Sequence, residues 1–140
     1  MATPYETIYN RALAKIEDPT LAMLPEEDLE NMLHGYLMSA IAKHRKCEHD
    51  LSDRDEELKQ FNFDLSDLEM EILSILMVRE WISQRLHSVT TVMQTFSGKE
   101  TNFYSQASHI KELREMDDRL RLEAQQLSRD YSYTDNDYFD

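Results

Sequence analysis

Ser66-Asp-Leu-Glu-Met-Glu-Ile-Leu-Ser-Ile-Leu-Met-Val-Arg-Glu-Trp-Ile-Ser-Gln-Arg-Leu86 is the stretch on which the fold turns. It opens with Ser66 three residues ahead of Glu69, the pattern in which a hydroxyl and a carboxylate reciprocally bind free N–H groups at a helix start. The residues that follow, from Leu68, Met70, Ile72 and Leu73 through Ile75–Val78 to Trp81, Ile82 and Leu86, are apolar almost all round the helix. Such a helix must be covered on several sides, which predicts a central, buried element over 68–86. Two glycines and three prolines in 140 residues supply too few turns for a sheet-rich chain. An all-α bundle of about four main helices in one domain is the expectation.

Working outward, Thr3-Pro4-Tyr5-Glu6 carries an N-cap threonine, a proline at the first helical position and a glutamate placed for a capping box. It predicts a first helix with Tyr5, Ile8, Ala12 and Ile16 on its inner face, broken at Asp18-Pro19. Leu24-Pro25-Glu26-Glu27-Asp28 opens a second helix with carboxylates at the positive end of its dipole, and Lys43-His44-Arg45-Lys46 lies at the other end. Its apolar face runs through Leu29, Met32, Leu33, Tyr36, Leu37, Ala40 and Ile41. Residues 47–62 are charged and lack a sustained period; Asp53 to Phe61 reads as a short surface helix, with Phe63 and Leu65 tucking the connection onto the core. Val89-Thr90-Thr91-Val92 and Gly98 mark 87–104 as a loop with a short extended piece.

From Ser105 to Asp130 the chain reads as one long polar helix, roughly 40 Å at 1.5 Å per residue. Its seam, Ile110, Leu113, Asp117, Leu120, Ala124, Leu127 and Tyr131, alternates steps of three and four with one carboxylate inside it. A seam that thin is expected to be a partner or oligomer seam, with Ile110, Leu113, Leu120 and Leu127 as its contacts. The decapeptide Tyr131-Ser-Tyr-Thr-Asp-Asn-Asp-Tyr-Phe-Asp140 follows. Aromatics serve interfaces as anchors, so Tyr131, Tyr133, Tyr138 and Phe139, with Asp135 and Asp137, are expected to bind a partner. The organisation expected is a helical domain over 1–130 and an extended docking tail over 131–140.

Charge and chemistry narrow the function. The chain has 28 acidic and 15 basic residues, a net charge of −13, which repels phosphate backbones and argues against a nucleic-acid-binding surface. The single Cys47 excludes an internal disulfide framework. No signal-peptide pattern precedes the first helix, and the longest apolar stretch, near Ile72–Val78, is too short to span a bilayer; a soluble, cytosolic chain is expected. His44, Cys47, Glu48 and His49 form the most metal-like cluster, but the spacing fits no zinc signature and no second Cys/His pair exists. Glu30 and His34 are four apart and His109 is preceded at three by Gln106, so the paired Glu-x-x-His of di-iron bundles is missing. Cys47 beside Arg45 and Lys46 has no local signature of a nucleophile, and Gly35 and Gly98 make no phosphate loop. No catalytic, metal or cofactor-binding residue is assigned, and no cofactor is expected.

Leu24-Pro25-Glu26-Glu27-Asp28-Leu29 opening a helix, Met77-Val78-Arg79-Glu80-Trp81-Ile82 in the central one, Tyr104-Ser105-Gln106-Ala107-Ser108-His109 entering the last and Asp130-Tyr131-Ser132-Tyr133 closing it resemble the small helical neck proteins of tailed bacteriophages. These are the head-to-tail adaptors, or connectors, typical of phages that infect Gram-positive bacteria. The resemblance covers most of the chain. It implies a non-enzymatic structural protein of the virion neck, assembled in the host bacterial cytoplasm as a homo-oligomeric ring, commonly of twelve copies. Such a ring docks under the portal protein, receives stopper or tail components and lets DNA pass through its channel without specific binding. By the same resemblance the helices form the ring wall and residues 131–140 reach into the portal. The rival readings are a stopper or tail-completion protein of the same neck, richer in β structure, and a cytosolic helical homo-oligomeric interaction protein.

Overall fold

The reciprocal bonds expected at Ser66 are made. Glu69 N–H donates to Ser66 Oγ at 3.1 Å and Ser66 N–H donates to Glu69 Oε1 at 3.0 Å. In this computed structural model, which describes residues 2–16, 21, 23–44, 50–95 and 100–135, the side chains of 89–95, 100–106 and 132–135 being left aside, the helix so capped is α3, Asp67–Thr95. It is preceded by β1 (Thr3–Pro4), α1 (Tyr5–Leu13), α2 (Glu26–Lys43), β2 (Arg54–Asp55) and β3 (Gln60–Phe61), and followed by α4 (Glu100–Asp135). The chain is mostly helical, with a small three-stranded sheet.

α3 is the shared wall of the core. It packs against α1, α2 and α4, and Ile72, Leu73, Ile75, Met77, Val78 and Ile82 are all buried. Their continuity round the helix is what lets one element serve three neighbours. Ser74, also buried, turns its hydroxyl back to the Glu71 carbonyl at 2.8 Å, so no polar group is left open on that face. Outside the core, Arg11 and Lys15 of the α1 end grip Glu71 at 2.9 and 2.5 Å. Burial pushes the Glu71 carboxyl up, but the two cations outweigh it and hold it below the usual range.

The sheet is made where a helix was expected. Asp53 to Phe61 forms not a surface helix but an antiparallel hairpin, Arg54 paired with Phe61 and Asp55 with Gln60. Asp55 Oδ1 accepts the N–H groups of Glu57 and Leu58 at 2.9 and 3.1 Å, and Lys59 takes a left-handed φ of 53° to close the turn. An aspartate that bonds backbone two residues on is a turn former, and here it outweighs the weak helical pattern. β1 adds to the other edge of β3, Thr3 opposite Phe61. Thr3 is therefore spent differently than expected: Pro4 is the N-cap of α1 and no side chain caps it. The Thr3 hydroxyl instead donates to the Phe63 carbonyl at 2.8 Å and accepts Leu65 N–H at 2.9 Å, tying the connection down.

Two further boundaries differ. α3 continues as helix through Val89–Val92 to Thr95, and α4 begins at Glu100, so most of the expected loop at 87–104 is helical. β-branched residues cost a helix only about 0.7 kcal/mol each or less, which a long, continuing helix overrides. At its other end α4 runs past Asp130 to Asp135. The expected seam of α4 is buried inside the chain: Leu113, Leu120, Ala124 and Tyr131 are core residues, with Leu127 packed against them and Ile110 half-buried. Asp117 within it receives Arg79 Nε of α3 at 2.9 Å. Leu113 and Leu120 are thus covered within the chain rather than left for a second copy, whereas Ile110 and Leu127 remain half-buried at the edge of the seam.

Candidate functional site

The C-terminal turn of α2, the middle of α3 and the last third of α4 enclose a cleft of about 630 Å³. Its lining combines the largely buried Ile72 and Leu76 of α3 and Ala124 of α4 with the polar His44, Gln125 and Ser128, and Lys43, Arg79, Arg121 and Arg129 complete it. In a chain of net charge −13 this concentration of cations stands against the general field. The inner two are matched by carboxylates, Lys43 by Glu80 and Arg79 by Asp117. The outer two are held loosely: Arg121 lies 3.9 Å from the exposed Asp118, and Arg129 donates to Gln126 Oε1 at 3.3 Å. Arg121 and Arg129 sit eight residues apart on one face of α4, about 12 Å along the axis.

At the His44 side of the cleft three helices meet through polar side chains. His44, the C-cap of α2, is buried, and its ring stands edge-on to Tyr131 at 6.0 Å. The Tyr131 hydroxyl donates to Glu69 Oε2 at 3.2 Å, and Glu69 itself is only 1% exposed. Burial pushes the His44 imidazole below its ordinary pKa, against a smaller upward pull from the Glu69 charge. Nε2 of His44 finds no hydrogen-bond partner among the described residues.

That burial has a consequence for stability. Burial makes His44 harder to protonate in the folded state than in the unfolded chain, whose imidazole takes up a proton below about pH 6.5. The unfolded state thus binds more protons in that window, so the stability His44 permits is full above pH 6.5 and falls as pH drops below it. The urea midpoint should decline from pH 7 to pH 5 in the wild type and decline less in His44→Phe. Equal pH profiles for the two proteins would show that folding does not lower the proton affinity of His44.

A second polar cluster has its chemistry already used. Glu56 Oε1 accepts from the Tyr5 hydroxyl at 2.9 Å and from Arg54 Nε at 2.8 Å, and Oε2 lies 2.7 Å from His34 Nε2. Burial raises the Glu56 carboxyl, but these hydrogen bonds outweigh it and hold it below the usual range. The arrangement staples the hairpin to α1 and α2. Among the described residues no three His, Cys, Asp or Glu side chains group so as to hold a metal ion; Cys47, Glu48 and His49 lie outside them.

The six residues expected to bind a partner separate. Tyr131 is a core residue of its own chain, because Glu69, 62 positions earlier, offers its hydroxyl a buried acceptor; it is not a docking anchor. Tyr133 and Asp135 belong to the last turns of α4, which makes the tail start later than 131. Asp137, Tyr138 and Phe139 lie outside the described residues. The basic cleft was not foreseen, although Arg121, Gln125, Ser128 and Arg129 at i, i+4, i+7 and i+8 mark a polar stripe beside the seam. No family model, curated protein or solved structure matches the chain. No helix among the described residues is long and apolar enough to cross a membrane.

Proposed function

We propose that this chain is a homo-oligomeric structural protein of a bacteriophage neck, a head-to-tail adaptor whose ring stands between the portal and the stopper or tail. The observation that carries the reading is α4. Its 36 residues span about 54 Å, twice the length of α2, and only one stripe of it is covered by α3. The other face is exposed from Lys111 through Glu115, Asp118 and Leu122 to Gln126. A long helix open on one side is suited to a wall built by repetition of one subunit. In this reading the helices form the bundle that makes the ring wall, and Tyr133, Asp135, Asp137, Tyr138 and Phe139 form the portal-docking end. The surplus of carboxylates would let DNA pass without adhering. The resemblance of the sequence motifs to phage adaptors supplies the particle.

The test is to mix the purified chain with a portal and examine it by electron microscopy and co-sedimentation. Rings seated on the portal are expected. Removing residues 136–140 should leave the circular dichroism melt unchanged, since the core formed by the described residues is complete without them, and should abolish attachment. A small discrete oligomer indifferent to portal would replace this reading with that of a cytosolic interaction protein.

A further inference from the structure

The basic cleft has a complementary surface at the opposite end of the same helix. Ahead of α2, Met23 is 84% exposed and Leu24 39% exposed, an unusual position for two large apolar side chains side by side. They are followed at once by Glu26, Glu27 and Asp28, all exposed, in the first turn of α2. The result is an exposed knuckle, apolar at Met23 and Leu24 and acidic in the turn that follows. The cleft is its counterpart: Ile72, Leu76 and Ala124 in its lining, and a rim on which Arg121 pairs only at 3.9 Å with the exposed Asp118 and Arg129 has no carboxylate within 4 Å among the described residues.

We propose that the knuckle Met23–Asp28 of one copy docks in the Lys43–Arg129 cleft of the next. Within one chain the two cannot meet, because α2 itself, 18 residues long, holds them about 27 Å apart. The contact therefore joins two different patches on two copies, the heterologous kind that propagates head to tail and closes into a ring when the rotation allows. Met23 and Leu24 enter the cleft toward Leu76 and Ala124. Glu27 and Asp28 meet Arg121 and Arg129, where pairing fixes register and partner choice. A nucleic acid is the poorer occupant, since Lys43 and Arg79 are already paired with Glu80 and Asp117 and the net charge of the chain repels a phosphate backbone. This inference rests on the ring reading only in requiring self-association, and it names the two patches through which the ring would be built.

The experiment is sedimentation velocity of the full chain at low salt, where exposed charge pairs are least screened. Three samples are compared with wild type: Arg121→Glu/Arg129→Glu, Glu27→Arg/Asp28→Arg, and an equimolar mixture of the two. Each double variant alone is expected to self-associate at least about tenfold more weakly, two exposed ion pairs having turned repulsive. The mixture is expected to regain wild-type association, because each variant's altered patch now matches the other's. All four substituted side chains are at the surface, and a circular dichroism melt on each variant confirms folding. A monomeric wild type, two variants that associate normally, or a mixture that does not recover would each overturn the proposal. The portal assay reports separately. Association through these patches without portal binding removes the adaptor assignment and keeps the interface; rings on the portal that ignore both reversals do the opposite.

Discussion

Replacing Phe61 by alanine is expected to destabilise the chain by about 3–5 kcal/mol. Phe61 is fully buried on the middle strand of a sheet whose strands are two residues long. So short a sheet is not held by its ladder, and side-chain packing must supply the stability. The Phe61 ring is met edge-on by Tyr5 of α1 at 5.2 Å and tilted by Phe63 at 5.8 Å. Truncation leaves a cavity between α1 and the hairpin and removes both aromatic contacts. The measurement is urea unfolding by circular dichroism and Tyr fluorescence; a loss under about 1 kcal/mol would mean that the hairpin is not part of the cooperative core.

Leu73→Ala and Leu76→Ala, three residues apart on α3, should differ in a defined order. Both fall in the range of about 2–5 kcal/mol for burying and then deleting a leucine side chain. Leu73 is completely enclosed, while Leu76 is 9% exposed and forms a wall of the basic cleft. Water can enter the space left at Leu76 and the open rim can relax, so its cost belongs at the low end and that of Leu73 at the high end. Equal losses, or a larger loss at Leu76, would place the cleft inside the closed core.

The comparison of residues with structure separates local from distant causes. Ser66 and Glu69 carry their own instruction three positions apart, and the buried face of α3 is written in one continuous run; both were legible. The hairpin at 54–61 was not. Its two-residue strands have no periodicity, and the turn rests on Asp55 and on a left-handed Lys59 where a glycine would have announced it. The place of Tyr131 is illegible for another reason: an aromatic near a polar terminus gives no sign that Glu69 waits across the fold. The seam of α4 likewise has the same spacing whether α3 or a second chain covers it, and only the packing decides. The cleft combines residues from three helices, so its cations were visible singly and their convergence was not.

The position of α3 also sets how force would travel through the molecule. α1, α2 and α4 each lean chiefly on α3 and make little contact with one another. They are thus connected in series, with one helix as the common beam. A pull on the exposed side of α4 must reach α2 mainly through α3 side chains and through the Tyr131–His44 contact at one end. Close-packed interiors are stiff and transmit displacement with little absorption. A subunit arranged this way would behave under load as a single rigid strut, and its compliance would reside in the joints between copies.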